Sequence, residues 1–411
     1  MLYSLQSAYR TGHSTETALL KIINDLLSAL DNGQVSLLSL LDLSAAFDTI
    51  DHSTLLNRLQ HTFGISSHAL AWFHSYLSGR TQIVSVSGFS SRSAVLNYGV
   101  PQGSVLGPIL FVLYTQPISD IVAHHDISHH CFSDDNQIYT SDDISLLPSI
   151  IDRSQLCISD IKAWMTCNKL QLNNDKTELI FILSKRLMST ISVPSSVQLG
   201  TSLIQTSTTV RNLGVVLDHT LSFQTQISSI CRACYLELRR ISSVRHLLSE
   251  EATKTLVSAF ILSRLDYCNS LLAGCPLNLL AKLQKVQNNA ARLVLKSPKT
   301  SHISPLLKSL HWLPVEKRIK YKLSLLCYKA LNGLAPPYLS KLLSTYTPSR
   351  QLRSSSDTRI LQIPRFRART LGERSFSFQA SSSWNTLPSS LRNSNSLSSF
   401  KSSLKTTLFK T

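Results

Sequence analysis

The chain has 411 residues, 43% of them hydrophobic and 16% charged, a balance that excludes a wholly disordered or collagen-like protein and predicts two or three globular domains. The longest uncharged apolar run, around residues 106–114, is far shorter than the roughly 20 residues that span a bilayer, and the first residues lack a secretory signal. We therefore expect no membrane partner, reduced thiols at the eight cysteines and an intracellular location in the nucleus and cytoplasm.

The net charge of +17 is unevenly distributed along the chain. Residues 1–150 carry a net charge of −7, residues 151–250 carry +4 and residues 251–411 carry +20. This asymmetry favours a protein whose carboxylates hold cations in one region while a basic surface elsewhere binds a polyphosphate. The alternative is a generally basic protein without a nucleic-acid partner.

The first part of the chain mixes helices and strands. Ser14 is a candidate N-cap for an amphipathic helix that ends at residues 31–33, and Val35 to Leu43 is an apolar run of strand length that includes Asp42. The pattern then predicts helices over residues 55–60 and 69–77, a strand over 82–86 and a buried helix over 104–113.

A hairpin with an acidic turn at residues 133–137 follows. Beyond it we predict a helix over 151–165, a strand over 177–183 and an all-helical segment with helices near 222–244, 250–273 and 279–295. The Ser-rich stretch from Ser354 to Ser403 has clustered arginines, and we expect it to lack a single packed core and to be partly disordered.

Three carboxylates are the candidate catalytic residues. Asp42 lies at a predicted strand end, and Asp134 and Asp135 lie in the hairpin turn. Phosphoryl transfer with two divalent ions needs carboxylates from separate segments, and Mg²⁺ prefers oxygen ligands. The alternative for each is structural, because Asp is common at strand ends and in turns.

A glycine-rich segment, residues 99–108, lies between these carboxylates in the sequence. Its glycines permit close approach of a nucleotide, and Ser104 is expected to open the following helix, whose N-terminus favours anions. The alternative is a packing turn before a buried helix.

Five segments together resemble the reverse transcriptases of non-LTR, LINE-type retrotransposons. Residues 6–19 are similar to the lead-in of that family, and the five motifs follow in family order at residues 41–48 (LDLSAAFD), 99–104 (GVPQGS), 132–135 (FSDD), 164–181 and 212–223. Ser133 departs from the Ala that is usual there, although Ser is only slightly larger.

The resemblance implies an α+β fold: a right-hand polymerase palm with incomplete fingers over residues 1–220, a helical thumb over 221–300 and a basic C-terminal extension over 301–411. It also implies RNA-directed DNA polymerisation, with an RNA template, a DNA primer, deoxynucleotides and two Mg²⁺ ions, for which Mn²⁺ is a possible substitute. Because Met1 lies just before the lead-in, we expect the upstream fingers strands and an endonuclease to be missing. The alternative function is therefore an inactive truncated remnant that only binds nucleic acid.

The resemblance assigns a role to each candidate residue. Asp42, Asp134 and Asp135 are the expected catalytic metal ligands, and Lys176 is the expected general acid that protonates pyrophosphate, unless it is a solvated surface lysine. Phe47 is expected to block the sugar 2′-hydroxyl, unless it is an ordinary core residue, and Gln102 and Gly103 are expected to support the nucleotide.

Basic residues of the predicted thumb helices are the candidate nucleic-acid contacts, unless they belong to a solvated helix face. They are Arg239, Arg240, Arg245, Lys282, Lys285 and Arg292. In the extension, residues 317–322 and 365–369 interleave basic and aromatic residues, which is typical of single-strand binding or of nuclear-localisation clusters.

Overall fold

The structure is a computed structural model, and it describes residues 3–44, 47–200, 202–347 and 359–410. The helices are α1 (Thr15–Asp31), α2 (His52–His61), α3 (Ser67–Leu77), α4 (Gly107–Thr115), α5 (Pro117–His124), α6 (Leu147–Cys167), α7 (Lys185–Met188), α8 (Gln224–Val244), α9 (Glu250–Val257), α10 (Ser263–Asp266), α11 (Leu277–Leu295), α12 (Ile303–Ser309), α13 (Val315–Leu331), α14 (Pro337–Ser340), α15 (Phe376–Asn385), α16 (Ser389–Arg392) and α17 (Leu397–Lys410).

The strands are β1 (Val35–Leu41), β2 (Leu43–Ser44), β3 (Thr81–Gln82), β4 (Ser85–Val86), β5 (Phe89–Ser90), β6 (Ala94–Val95), β7 (Ser128–Phe132), β8 (Asp135–Asp142), β9 (Gln171–Leu172), β10 (Glu178–Ile182), β11 (Ser196–Leu199), β12 (Ser202–Gln205), β13 (Thr209–Asn212) and β14 (Val215–Asp218).

The chain forms two compact units. The first takes its described residues from 1–11, 35–181 and 191–207, and the second takes them from 12–34, 182–190 and 208–411. The division into palm, thumb and extension at residues 220 and 300 stays a prediction, since the compact units follow other limits.

A four-stranded sheet with the order β10-β1-β8-β7 is the centre of the first unit. Strand β1 is antiparallel to β8, with Val35 opposite Asp142 and Leu41 opposite Asn136, and β8 returns along β7 through a two-residue turn. Helices α5 and α6 pack on this sheet. The apolar run of β1 is buried because both of its faces are covered.

Two predicted elements of the first unit need correction. The buried helix begins at Gly107 rather than Ser104, and it is not buried on every side, because Ile109 within it is exposed, as is Val105 before it. The strand predicted over residues 177–183 spans Glu178–Ile182 and is buried from Leu179 to Ile182, because it belongs to the central sheet.

Helix α1 belongs to the second unit and is capped as its sequence predicts. The Ser14 hydroxyl accepts from the Thr17 amide, and the Thr17 side chain accepts from the Ser14 amide. These reciprocal bonds satisfy two amide groups that a helix start otherwise leaves unpaired. The segment predicted as one helix over 250–273 is divided into α9, a π-helical turn at Ser258–Leu262 and α10.

The C-terminal segment is folded where the structure describes it, which corrects the expectation of an unpacked tail from residue 359 onward. Trp384 and Phe400 are fully buried, and the Phe400 ring stacks on Tyr328 of α13 at 4.4 Å between centroids. Many serines separate the apolar residues of α17. Phe400, Leu404 and Leu408 nevertheless recur every four residues and share one buried face, as in an amphipathic helix. Residues 348–358, which include the first residues of the Ser-rich stretch, lie outside the described residues.

Within the described ranges, none of the helices combines the length and the apolar character that crossing a bilayer requires.

Candidate active site

Strand pairing brings the three predicted carboxylates to one end of the central sheet. Leu41, the last residue of β1, lies opposite Asn136 of β8, so Asp42 follows on one strand where Asp135 begins the other. Asp134 lies in the two-residue turn that joins β7 to β8. The acidic turn is therefore shorter than predicted, because residues 135–137 are already paired in strand β8.

The electrostatics of this sheet end reflect the closeness of the carboxylates. Loss of water around the Asp135 carboxylate, together with the negative charges of Asp134 and Asp42, raises the pKa of Asp135 to about 6. Asp135 nevertheless retains solvent exposure as a residue. Burial is the main cause of this shift, and the neighbouring carboxylates add a repulsion that a bound cation would offset.

Asp42 has a carboxylate oxygen that accepts no hydrogen bond from the described residues. This oxygen, Oδ2, is buried, and the Nζ of Lys176 forms an ion pair with it at 3.5 Å. The loop that carries Lys176 is also bonded to Asp42 through the backbone, because the Asn173 amide donates to the Asp42 carbonyl oxygen at 2.9 Å. A buried carboxylate oxygen that accepts no hydrogen bond, close to further carboxylates, has the chemistry of a hard-cation ligand.

The described residues contain no group of three His, Cys, Asp or Glu side chains already assembled as ligands of one metal ion. The three aspartates share one end of the sheet but are not assembled as a coordination shell.

The glycine-rich segment packs against the chain that follows Asp42. The Val100 amide donates to the Phe47 carbonyl oxygen at 2.9 Å. Gly99 has φ +82°, and a Cβ there would lie 2.8 Å from the Asp48 carbonyl oxygen, so the position requires glycine for both conformation and space. Gly103 also has a positive φ, but open space surrounds it, where a ligand has room to approach.

Gln102 and Ser104 have partners that the sequence alone did not indicate. The Gln102 side-chain amide donates to the Asp48 carboxylate at 2.7 Å, which makes Asp48 an additional member of the site. Ser104 lies three residues before α4 and accepts from the Gly107 amide at 3.0 Å, so it caps the helix from a distance instead of opening it.

Phe47 is half-buried, and its ring packs against Phe111 of α4 at 4.8 Å between centroids. Residues 45 and 46, which precede it, lie outside the described residues. The packing fixes one side of the ring, and its role in selecting sugars stays a prediction.

Among the predicted thumb residues, Arg239 of α8 and Arg292 of α11 line a groove between these two helices, with a cavity of about 600 Å³. Tyr235, Lys296 and Lys299 line it as well, and none of the described lining residues is acidic. Lysines 296 and 299 were missed because they lie beyond the helical pattern of α11, at its C-terminal end.

The other predicted thumb residues differ in their surroundings. Lys282 and Lys285 precede Arg292 by ten and seven residues on α11, and both are exposed. Arg240 lies 3.1 Å from Glu237. Arg245 is buried and donates to the carbonyl oxygens of Leu293 and Val294, so it joins the helices and is not a surface contact.

The basic stretch of residues 317–322 is part of α13, and two of its four basic residues form ion pairs within the second unit. Arg318 forms an ion pair with Asp266, and the Nζ of Lys322 lies 3.1 Å from the Glu16 carboxylate. These partners leave fewer free charges than a single-strand binding surface would present.

Comparisons with known proteins identify the family of the chain. Residues 2–217 match the family described as reverse transcriptase (RNA-dependent DNA polymerase). The chain is 27% identical over 264 residues to the probable RNA-directed DNA polymerase from transposon BS of Drosophila melanogaster, covering 61% of this chain and 27% of that protein. It is 28% identical over 243 residues to the RNA-directed DNA polymerase from mobile element jockey of the same organism, covering 58% of this chain and 25% of that protein.

The chain thus spans about a quarter of the length of these curated relatives. Among solved structures it is similar to apo telomerase from Candida tropicalis, with 14% sequence identity and a TM-score of 0.40, over 82% of this chain and 58% of that one. The central sheet, its flanking helices and the helical segment after residue 223 form a mixed palm followed by a helical thumb. The chain belongs to the reverse transcriptase family, and its relatives confirm the LINE-type resemblance of its motifs.

Proposed function

We propose that this chain carries the catalytic palm and thumb of an RNA-directed DNA polymerase that extends a DNA primer along an RNA template. The observation that carries the proposal is the meeting of Asp42, Asp134 and Asp135 at one sheet end. The proposed site of action is intracellular, in the nucleus and cytoplasm.

In this proposal, Asp42 and Asp134 hold both Mg²⁺ ions, for which Mn²⁺ can substitute, and Asp135 is a third ligand or electrostatic support. Bound there, the ions would supply Lewis-acid chemistry toward the α-phosphate and the primer 3′-hydroxyl. The Oδ2 of Asp42 accepts no hydrogen bond from the described residues, which supports its assignment as a ligand.

Lys176 is the proposed general acid toward pyrophosphate. Its ammonium group is exposed and 3.5 Å from Asp42, so it lies beside the reacting phosphates if Asp42 binds the metal. Phe47 is proposed to exclude the sugar 2′-hydroxyl, and Gln102 and Gly103 to support the incoming nucleotide and the template base.

The groove between α8 and α11 is the proposed path for template and primer phosphates. Lys282, Lys285 and Arg292 follow one another at intervals of three and seven residues and so share one face of α11 over about 15 Å, at 1.5 Å per residue. A row of basic residues of this length matches several successive phosphates of a duplex.

Primer extension by the purified protein tests the proposal. We expect deoxynucleotide incorporation on an RNA template that is lost in Asp134→Ala and in Asp42→Ala. The matched control is Asp152→Ala, because Asp152 is an exposed carboxylate of α6 in the same unit. Salt-sensitive RNA binding without incorporation by the parent protein would instead support the alternative, a remnant that only binds nucleic acid.

A further inference from the structure

We infer that Gln6 is a positioning residue that fixes the turn carrying Asp134, and that Tyr9 supports it through the Ser133 hydroxyl. This inference rests on the proposed function, because the turn matters only if Asp134 is a metal ligand. It concerns residues outside the catalytic motifs, in the segment that leads into them.

The turn requires support because Ser133 has an unusual backbone conformation. Its φ is +61°, in the left-handed region that residues other than glycine seldom adopt. The hairpin loop contains only Ser133 and Asp134, so a change in the Ser133 dihedrals redirects the Asp134 carboxylate.

The side chain of Gln6 binds both backbone polar groups of Ser133. Its Oε1 accepts from the Ser133 amide at 3.1 Å, and its Nε2 donates to the Ser133 carbonyl oxygen at 3.4 Å. The same Oε1 accepts from the Ala8 amide at 3.0 Å, and Gln6 is only 4% exposed. One primary amide thus satisfies a donor and an acceptor that the turn itself leaves unpaired.

The backbone around Gln6 is itself fixed to the hairpin. The Cys131 amide donates to the Leu5 carbonyl oxygen at 3.0 Å, and the Ser7 amide donates to the Cys131 carbonyl oxygen at 2.9 Å. Gln6 therefore forms a parallel β-bridge with Cys131 of β7. This bridge fixes the backbone from which the Gln6 side chain extends to the turn. Hydrogen bonds of this kind hold a residue that contacts a ligand, here Asp134, within a narrow range of positions.

Two further bonds complete the support of the turn. The Tyr9 hydroxyl lies 3.1 Å from the Ser133 Oγ, and the Asn136 side chain donates to the Asp134 carbonyl oxygen at 2.9 Å. The Tyr9 bond gives a physical reason for Ser at position 133, where the motif usually has Ala, because only a hydroxyl can pair with Tyr9.

Mn²⁺ binding by titration calorimetry, alongside primer extension, tests the inference. Gln6→Met keeps the side-chain length but removes both bonds to Ser133, and we expect Mn²⁺ affinity and kcat to fall by about 10-fold or more, the usual range for groups that orient metal ligands. We expect the KM for deoxynucleotide to change much less. Gln6→Glu retains the acceptor for the Ser133 amide, so it should recover part of the loss.

The matched control is Gln226→Met. Gln226 is also a buried glutamine that accepts from a backbone amide, that of Val216, but it belongs to the second unit. Its loss should lower stability without changing Mn²⁺ affinity. Mn²⁺ binding by Gln6→Met within twofold of the parent would overturn the inference. If that variant does not fold, parental Mn²⁺ affinity in Tyr9→Phe, which removes the bond to the Ser133 hydroxyl, would do so.

The outcomes separate the inference from the proposed function. A parent protein that binds Mn²⁺ through Asp134 but incorporates no nucleotide contradicts the polymerase proposal, while the effect of Gln6→Met on Mn²⁺ affinity still decides the role of Gln6.

Discussion

The Nζ of Lys176 lies 3.5 Å from the Oδ2 of Asp42, although the two residues are far apart in the sequence. Lys176 is largely exposed, and an exposed ion pair contributes at most about 1 kcal/mol to stability. The ion pair therefore contributes little to the stability of the fold. It does place an ammonium group, which a general acid must supply, beside a candidate metal ligand.

Lys176→Ala should lower kcat by about 100-fold or more, the usual contribution of a general acid. Mn²⁺ affinity should not fall, because a competing cation beside Asp42 is removed. Stopped-flow incorporation and Mn²⁺ titration check these two expectations. A parental rate in Lys176→Ala would contradict the general-acid role.

Phe47→Ala should increase the use of ribonucleotides relative to deoxynucleotides, because the ring that packs on Phe111 would no longer fill the space near the sugar. Competition between matched ribo- and deoxynucleotides in primer extension measures the ratio. Phe111→Leu is the control, since it disturbs the same packing without opening position 47. An unchanged ratio in an active Phe47→Ala protein means that the gate assignment is wrong.

Arg292→Ala and Arg239→Ala should each weaken RNA–DNA duplex binding uniformly across sequences and reduce the slope of log affinity against log salt by about 1. Fluorescence anisotropy at several salt concentrations measures this slope. Arg240→Ala should have a smaller effect, because Glu237 pairs with that guanidinium. The control is Lys308→Ala, an exposed lysine of α12 outside the groove, and equal effects from all four variants would exclude the groove as the path.

His129 behind the catalytic hairpin should make the fold acid-sensitive. Burial lowers the pKa of His129 to about 4, although the hydrogen bond between His129 and Asn136 acts in the opposite direction. The unfolded chain therefore binds a proton near the ordinary pKa of about 6.5 while the folded protein does not. Stability from this group is full above about pH 6.5 and is lost as the pH falls toward 4, by roughly 3 kcal/mol at most.

Urea unfolding at a series of pH values checks this loss. His129→Gln removes the titrating group and should flatten the dependence between pH 6.5 and 4. The same pH dependence in the parent and the variant would contradict the assignment.

Phe400→Ala should lower the free energy of unfolding by about 3–5 kcal/mol, because a buried ring that stacks on Tyr328 leaves a cavity. Ser398→Ala on the same helix is the control and should change it by less than about 0.5 kcal/mol. Urea denaturation compares the two, and equal effects would mean that the tail does not pack as described.

The sequence predicted correctly those helices and strands whose caps and hydrophobic patterns match their burial in the folded chain. The N-cap Ser14 and the apolar run of β1 are local signals, and both elements form as expected. The packing of the tail was missed because many serines lie between its apolar residues, so the composition hides the four-residue period of Phe400, Leu404 and Leu408.

The candidate site likewise contains residues that the sequence indicated and contacts that only the structure shows. The resemblance indicated Asp42, Asp134 and Asp135, but neither the bonds from Gln6 to Ser133 nor the Asp48 partner of Gln102 has a local signature. Such pairs join residues distant in sequence, so only the folded chain defines them. Arg245 was misassigned for the converse reason, since an arginine on a helix resembles a surface contact until its carbonyl partners are seen.

The most direct test of the shared metal site is a count of bound ions. Mn²⁺ titration by electron paramagnetic resonance should find two ions per chain in a complex with RNA template, a 3′-deoxy-terminated DNA primer and the matching deoxynucleotide. Both Asp42→Ala and Asp134→Ala should reduce that number, whereas Asp152→Ala should not. Two ions bound with parental affinity in Asp42→Ala would contradict the account.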